Sequence, residues 1–148
     1  ILFLQSNGFG NPPGSNAELA LLFSVTIHEL AHGIHEDYLA GYCNGDPVCQ
    51  EELDDLIECH KGKGQHCYQS YAQRSSFWKL CEKANEPDLT ADERLAFRDQ
   101  AEKACGNAKI SAALRTKASG SPPGGCGGPL PEPPVANPPP VPSDCMCP

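Results

Sequence analysis

Two histidines and a glutamate stand in the order His28-Glu29-Leu30-Ala31-His32. On an α-helix, residues four apart lie one above the other on one face. His28 and His32 can therefore aim two imidazoles at a single metal ion, with Glu29 one residue further round the turn. Two neutral nitrogen ligands, a water and a carboxylate to take the water's proton are the parts of a hydrolytic zinc site. The four residues before the motif, Ser24-Val25-Thr26-Ile27, are small or apolar and half bury the helix. Buried His and Glu side chains need partners, which a metal would supply. The plain alternative is a helix with two hydrogen-bonded histidines and a surface glutamate.

Two histidines alone hold zinc weakly. A catalytic site normally has three protein ligands and one open position. The first source of a third ligand is a strongly acidic segment downstream, with Glu51, Glu52, Asp54, Asp55 and Glu58. Eighteen residues separate His32 from Glu51 and nineteen separate it from Glu52. Over residues 15 to about 60, this arrangement resembles the gluzincin branch of the zincin metallopeptidases. In that branch the H-E-x-x-H helix is followed by a helix bearing a glutamate ligand. The resemblance implies His28 and His32 as ligands of one Zn2+, Glu29 as general base, and Glu51 or Glu52 as third ligand. Asp55, four after Glu51, would accept the far N–H of a ligand histidine, which favours Glu51. Glu52 sits closer to the apolar face marked by Cys49, Leu53, Leu56 and Ile57, which favours Glu52. Glu51 is preferred narrowly.

His35 is a second source, three residues after His32. It lies about two turns from His28, roughly 10 Å along the axis, so convergence of all three from one straight helix is awkward. His60 and His66, in the cysteine-rich stretch, are the third. His66, Tyr38, Tyr68 or Tyr71 would serve instead to hydrogen-bond a developing oxyanion.

The elements that must position these groups read as helices. Ser15 and Glu18 form a capping box, and a helix runs from there to about Leu39. Leu19, Leu22, Phe23, Thr26, Ile27, Leu30 and Ile34 make one apolar stripe, expected to face the core. Leu21, Ser24, Val25, His28, Ala31, His32 and His35 make the adjacent stripe, expected to line a cleft. Gly33, after the second histidine, would open room beside the metal. Asp46 and Pro47 open a helix over 47–60. A third helix is expected over 65–84, and a capping box at Thr90 and Glu93 starts a fourth to Cys105. Gly106 is a natural helix stop, with a short helix over 108–117 after it. Residues 1–5 suit a short strand.

The last thirty residues, 119–148, hold eleven Pro and five Gly. That composition predicts a disordered tail appended to a domain over 1–118. Nine cysteines without a C-x-x-C pair point to disulfides and to a secreted or otherwise extracytoplasmic setting. The economical local pairings are Cys43–Cys49, Cys59–Cys67 and Cys81–Cys105, and the odd count leaves one thiol over. The net charge of −8 and the lack of a basic aromatic patch speak against nucleic acid or anionic membrane as partners.

The expected architecture is a mainly α, disulfide-containing, zincin-like domain, an active-site helix followed by an acidic helix, becoming α+β if a sheet lies upstream. Its expected activity is zinc-dependent hydrolysis of a peptide or protein substrate. The start without Met, the cysteines and the Pro-rich end are similar to compact C-terminal effector domains of large bacterial secreted or polymorphic toxins. That likeness implies a longer precursor and a cognate inhibitor. The rival expectation is a non-enzymatic, disulfide-stapled helical module with a structural or vestigial metal site.

Overall fold

The computed structural model describes residues 14–148; the strand expected over 1–5 lies outside them. The described residues form five helices and no strand. Ser15 caps the first helix, α1 (Asn16–Gly41), its hydroxyl accepting from the Glu18 amide. The Glu18 carboxylate accepts from the Gly14 amide, one residue before the cap. Asp46 caps α2 (Pro47–Gly62) by accepting from Val48 and Cys49 amides, with Pro47 in the first turn where no N–H is needed.

The helix expected over 65–84 is two helices, α3 (Gln65–Tyr68) and α4 (Ser70–Ala84), broken at Gln69. The break lets Cys67 turn in against His60 while Tyr71 packs beneath α1 beside Ala31. Thr90 and Glu93 complete a reciprocal capping box at the start of α5 (Ala91–Ala118). The helix stop expected at Gly106 does not occur. Cys105, Ala108 and Ser111 continue a buried stripe of small residues on either side of it. Packing of that stripe outweighs the roughly 1 kcal/mol that glycine costs inside a helix.

Ten of the fifteen residues of α4 are buried, so this helix is covered from several sides. It packs on α1 and α5. Phe77, Leu80, Phe97 and Cys105 are fully buried there, together with Ala20, Ala84 and Ala101. Each large apolar side chain so removed from water contributes about 1.5–3 kcal/mol relative to an exposed one. Phe23 of α1 meets Phe97 edge to face at 5.5 Å. The stripe expected to face the core does not do so as a whole. Leu30 and Ile34 are 57% and 54% exposed, whereas Ala20, Ala31, His35 and Leu39 are buried. Small residues at 20 and 31 let α1 approach its neighbours closely, which turns the bulkier stripe outward.

The Pro/Gly-rich segment is held along the helices rather than left free. Cys126 is bridged to Cys59, Cys147 to Cys81 and Cys145 to Cys105. Of the local pairings expected, only Cys43–Cys49 forms; Cys67 is a buried free thiol. A proline-rich chain cannot bond to itself in a ladder, so its carbonyls turn to side chains of the helical body. Arg74 donates to Pro138 O, Trp78 Nε1 to Pro139 O at 2.8 Å, and Lys109 to Ser143 O. Leu130 is buried, and Val141, Cys145 and Cys147 pack against the core of α4 and α5. Composition alone misses this, because the energy that orders the segment comes from cross-links and from donors far away in sequence.

Candidate functional site

Helical spacing brings His28 and His32 together as their order requires. Their Nε2 atoms lie 3.1 Å apart, with the rings edge to face at 4.7 Å. Tetrahedral neighbours on a metal with about 2.0–2.1 Å bonds to nitrogen stand roughly 3.3 Å apart. The pair therefore presents two vertices of such a polyhedron with little movement. Burial holds the His28 imidazole below its ordinary range of protonation, His32 adds to this, and Glu29 opposes it. A neutral ring is the form that binds metal.

His28 and Glu29 lie on the wall of a cleft of about 350 Å3 between α1, α4 and α5. Leu21, Ser24 and Val25 extend that wall from α1, as the second stripe anticipates. Glu29 itself is exposed and makes no hydrogen bond or ion pair among the described residues. The far side carries Gln73 and Ser76 of α4 and Lys103 of α5. Sequence reasoning missed these three. Their only signal is polarity on helix faces otherwise occupied by apolar residues, and that does not say which cavity they meet.

The third ligand is not assembled. Among the described residues, no group of three or more His, Cys, Asp or Glu is placed to hold a metal ion. Glu51, Glu52 and Asp55 are exposed on α2, whose buried positions are Leu53 and His60. The Cys43–Cys49 bridge seats the start of α2 at the end of α1, where Leu53 packs on Leu39 and Cys43. Cys43 is eleven residues beyond His32, roughly 16 Å along a helix axis. The acidic residues are thus tied to the wrong end of α1, and Asp55 does not reach a histidine.

His35 and His60 are both occupied with the Pro-rich segment. His35 is buried and its Nε2 donates to Pro131 O at 2.8 Å. His60 is fully buried between Gly128 O, 2.9 Å from its Nε2, and the Cys67 thiol, 3.6 Å from its Nδ1. Their direction is set by long-range carbonyls that no local spacing reveals. Tyr68 lies parallel to both His32, at 6.3 Å, and His35, at 6.0 Å. Burial, and secondly the Glu36 carboxylate, raise its phenol above the ordinary range. Tyr71 packs on His35, Tyr38 meets Tyr42 edge to face, and His66 is exposed. A Cβ at Gly33 would meet nothing within 4 Å, so no close approach there requires glycine.

The described residues fit two ligands of a metal and a neighbouring carboxylate, and do not supply the three-ligand set that a catalytic zinc normally has. No known family model, curated protein or solved structure matches this chain. No helix among the described residues is long and apolar enough to cross a membrane.

Proposed function

We propose that the chain is a metal-dependent hydrolase of peptide bonds, centred on the H-E-x-x-H pair of α1. The observation that carries the reading is the 3.1 Å approach of the His28 and His32 Nε2 atoms beside Glu29 at the edge of a cleft. His28 and His32 would hold the ion. When bound, Zn2+ supplies an acidified water and a polarised carbonyl. Glu29, exposed and free of partners among the described residues, is suited to take a proton from the attacking water and pass it to the leaving amine. The half-burial of His28 lowers its pKa and so favours the neutral form that ligates. Four disulfides are compatible with an oxidising, extracytoplasmic setting for this activity.

The test measures zinc content and cleavage of a mixed peptide library by the oxidised chain. One zinc per chain, lost in His28→Ala and kept in Glu29→Gln, with cleavage lost in both, is the expected result. Cleavage at the wild-type rate in Glu29→Gln would overturn the assignment of the base.

A second reading has its own observation. The acidic helix is turned away from the histidines and none of Glu51, Glu52, His35 or His60 joins them. That favours a stapled helical module that binds a metal through two histidines without turnover. Metal uptake with no cleavage of any peptide would select it.

A further inference from the structure

The cleft beside His28 has a chemical character that the H-E-x-x-H motif does not account for. Its far wall carries Lys103, the one lysine or arginine lining it, on a chain whose net charge is −8. Lys103 makes no ion pair among the described residues, although Asp99 stands one turn before it on α5. The same cleft, which His28 also lines, carries uncharged groups suited to amides. Gln73 is buried, and its Nε2 makes one long bond of 3.4 Å to Gln69. Ser76 is 1% exposed and its Oγ has no partner among the described residues. A buried hydroxyl left unpaired costs stability, which a ligand's amide would recover. Leu21 and Val25 give an apolar side to the same space.

We infer that this cleft receives the C-terminal end of a peptide, with its free carboxylate at Lys103, its last amide groups at Gln73 and Ser76, and its terminal side chain against Leu21 and Val25. A cation, an amide, a hydroxyl and a short apolar wall match the carboxylate, the amides and the side chain of a chain terminus. The volume of about 350 Å3 is at the small end of the roughly 300–1,000 Å3 typical of ligand pockets, which suits one or two residues and not a longer segment. As a statement of substrate class it rests on the hydrolase reading, but the binding itself does not need turnover.

The experiment therefore reads binding first. The probes are acetyl-Leu-Leu with a free carboxylate and the same dipeptide as its C-terminal amide. They are titrated against oxidised, full-length Glu29→Gln protein by isothermal calorimetry. The free acid should bind about fivefold tighter than the amide, the upper range for a solvent-exposed ion pair. The difference should vanish in Lys103→Gln and return in Lys103→Arg. Ser76→Ala should weaken both probes alike. Equal affinity for acid and amide, or a preference that survives Lys103→Gln, would overturn the inference. A carboxylate preference in a chain that never cleaves peptides would uphold it while the hydrolase reading fell.

Discussion

Arg74 Nη2 lies 2.5 Å from Glu132 Oε1, joining the central helix to the Pro-rich segment across 58 positions of sequence. Both side chains are about nine-tenths buried, and Arg115 Nε approaches the other oxygen of Glu132 at 3.3 Å. One carboxylate thus serves two guanidinium groups. Glu132→Ala would leave Arg74 buried and without its carboxylate, and should cost about 3 kcal/mol or more of stability. Glu132→Gln still offers an acceptor and should cost less. Urea unfolding with the disulfides intact measures both; an unchanged midpoint in Glu132→Ala would show that the ion pair contributes nothing to holding the segment.

The Cys81–Cys147 bridge closes a loop with a sequence separation of 66. Loop-closure entropy alone assigns it about 4 kcal/mol. A Cys81→Ser, Cys147→Ser double variant should unfold at correspondingly lower urea. Because Trp78 Nε1 donates to Pro139 O in the same region, its emission should shift to the red as the segment loosens. Stability and emission identical to wild type would mean that the Cys81–Cys147 bridge does not itself hold the end of the segment against the helical body, which the Cys59–Cys126 and Cys105–Cys145 bridges would still do.

The starts of α1, α2 and α5 were legible because each carries its own chemistry, whereas α4 starts without a side-chain cap and was not. Ser15, Asp46 and Thr90 bond the amides of their own first turns, and that information is local. The pairing of His28 with His32 was legible for the same reason, since four residues of helix fix it. What was not legible depends on distant partners. Cys59 finds Cys126 and not the nearby Cys67, and His60 finds Gly128 O. The outward turn of Leu30 and Ile34 likewise follows from which neighbours α1 packs on, which the apolar stripe does not specify.

Gly106 lies inside α5, is exposed, and a Cβ there would meet nothing within 4 Å. Gly106→Ala should therefore stabilise the chain by about 0.5–1 kcal/mol through helix propensity and a less flexible unfolded state. Thermal unfolding by circular dichroism reads this as a higher midpoint. A fall in midpoint would mean that α5 is interrupted at Gly106 in solution.

Burial raises the Cys67 thiol above its ordinary value of 9.0, against weaker opposing pulls from Arg115 and Lys63. In the folded chain the proton is held to higher pH than in the unfolded chain. The associated stability is full below about pH 9 and is lost as pH rises towards the folded value. Tyr68, also raised, adds a loss of the same sign above about pH 10. Cys67→Ala should remove the lower part of this alkaline decline and leave the upper part. The native thiol should also resist iodoacetamide at pH 8 and react promptly in urea. Rapid native alkylation would contradict its burial beside His60.

Glu51 and Glu52 are exposed at the start of α2, held at the far end of α1 by the Cys43–Cys49 bridge. Neither reaches His28 or His32 in this arrangement. Glu51→Ala and Glu52→Ala should therefore bind zinc as tightly as wild type, while His28→Ala and His32→Ala each lose most of the affinity, since only one imidazole remains. Competition with a chromogenic chelator at pH 7.5 gives the four constants. A sharp loss in Glu51→Ala alone would mean that α2 swings to the histidines when metal binds. Breaking the tether with Cys43→Ser, Cys49→Ser should then tighten zinc binding, because the bridge would oppose that movement. No change in either glutamate variant, with the tether intact or broken, leaves a two-histidine site whose remaining positions are open to water and to the ligand in the neighbouring cleft.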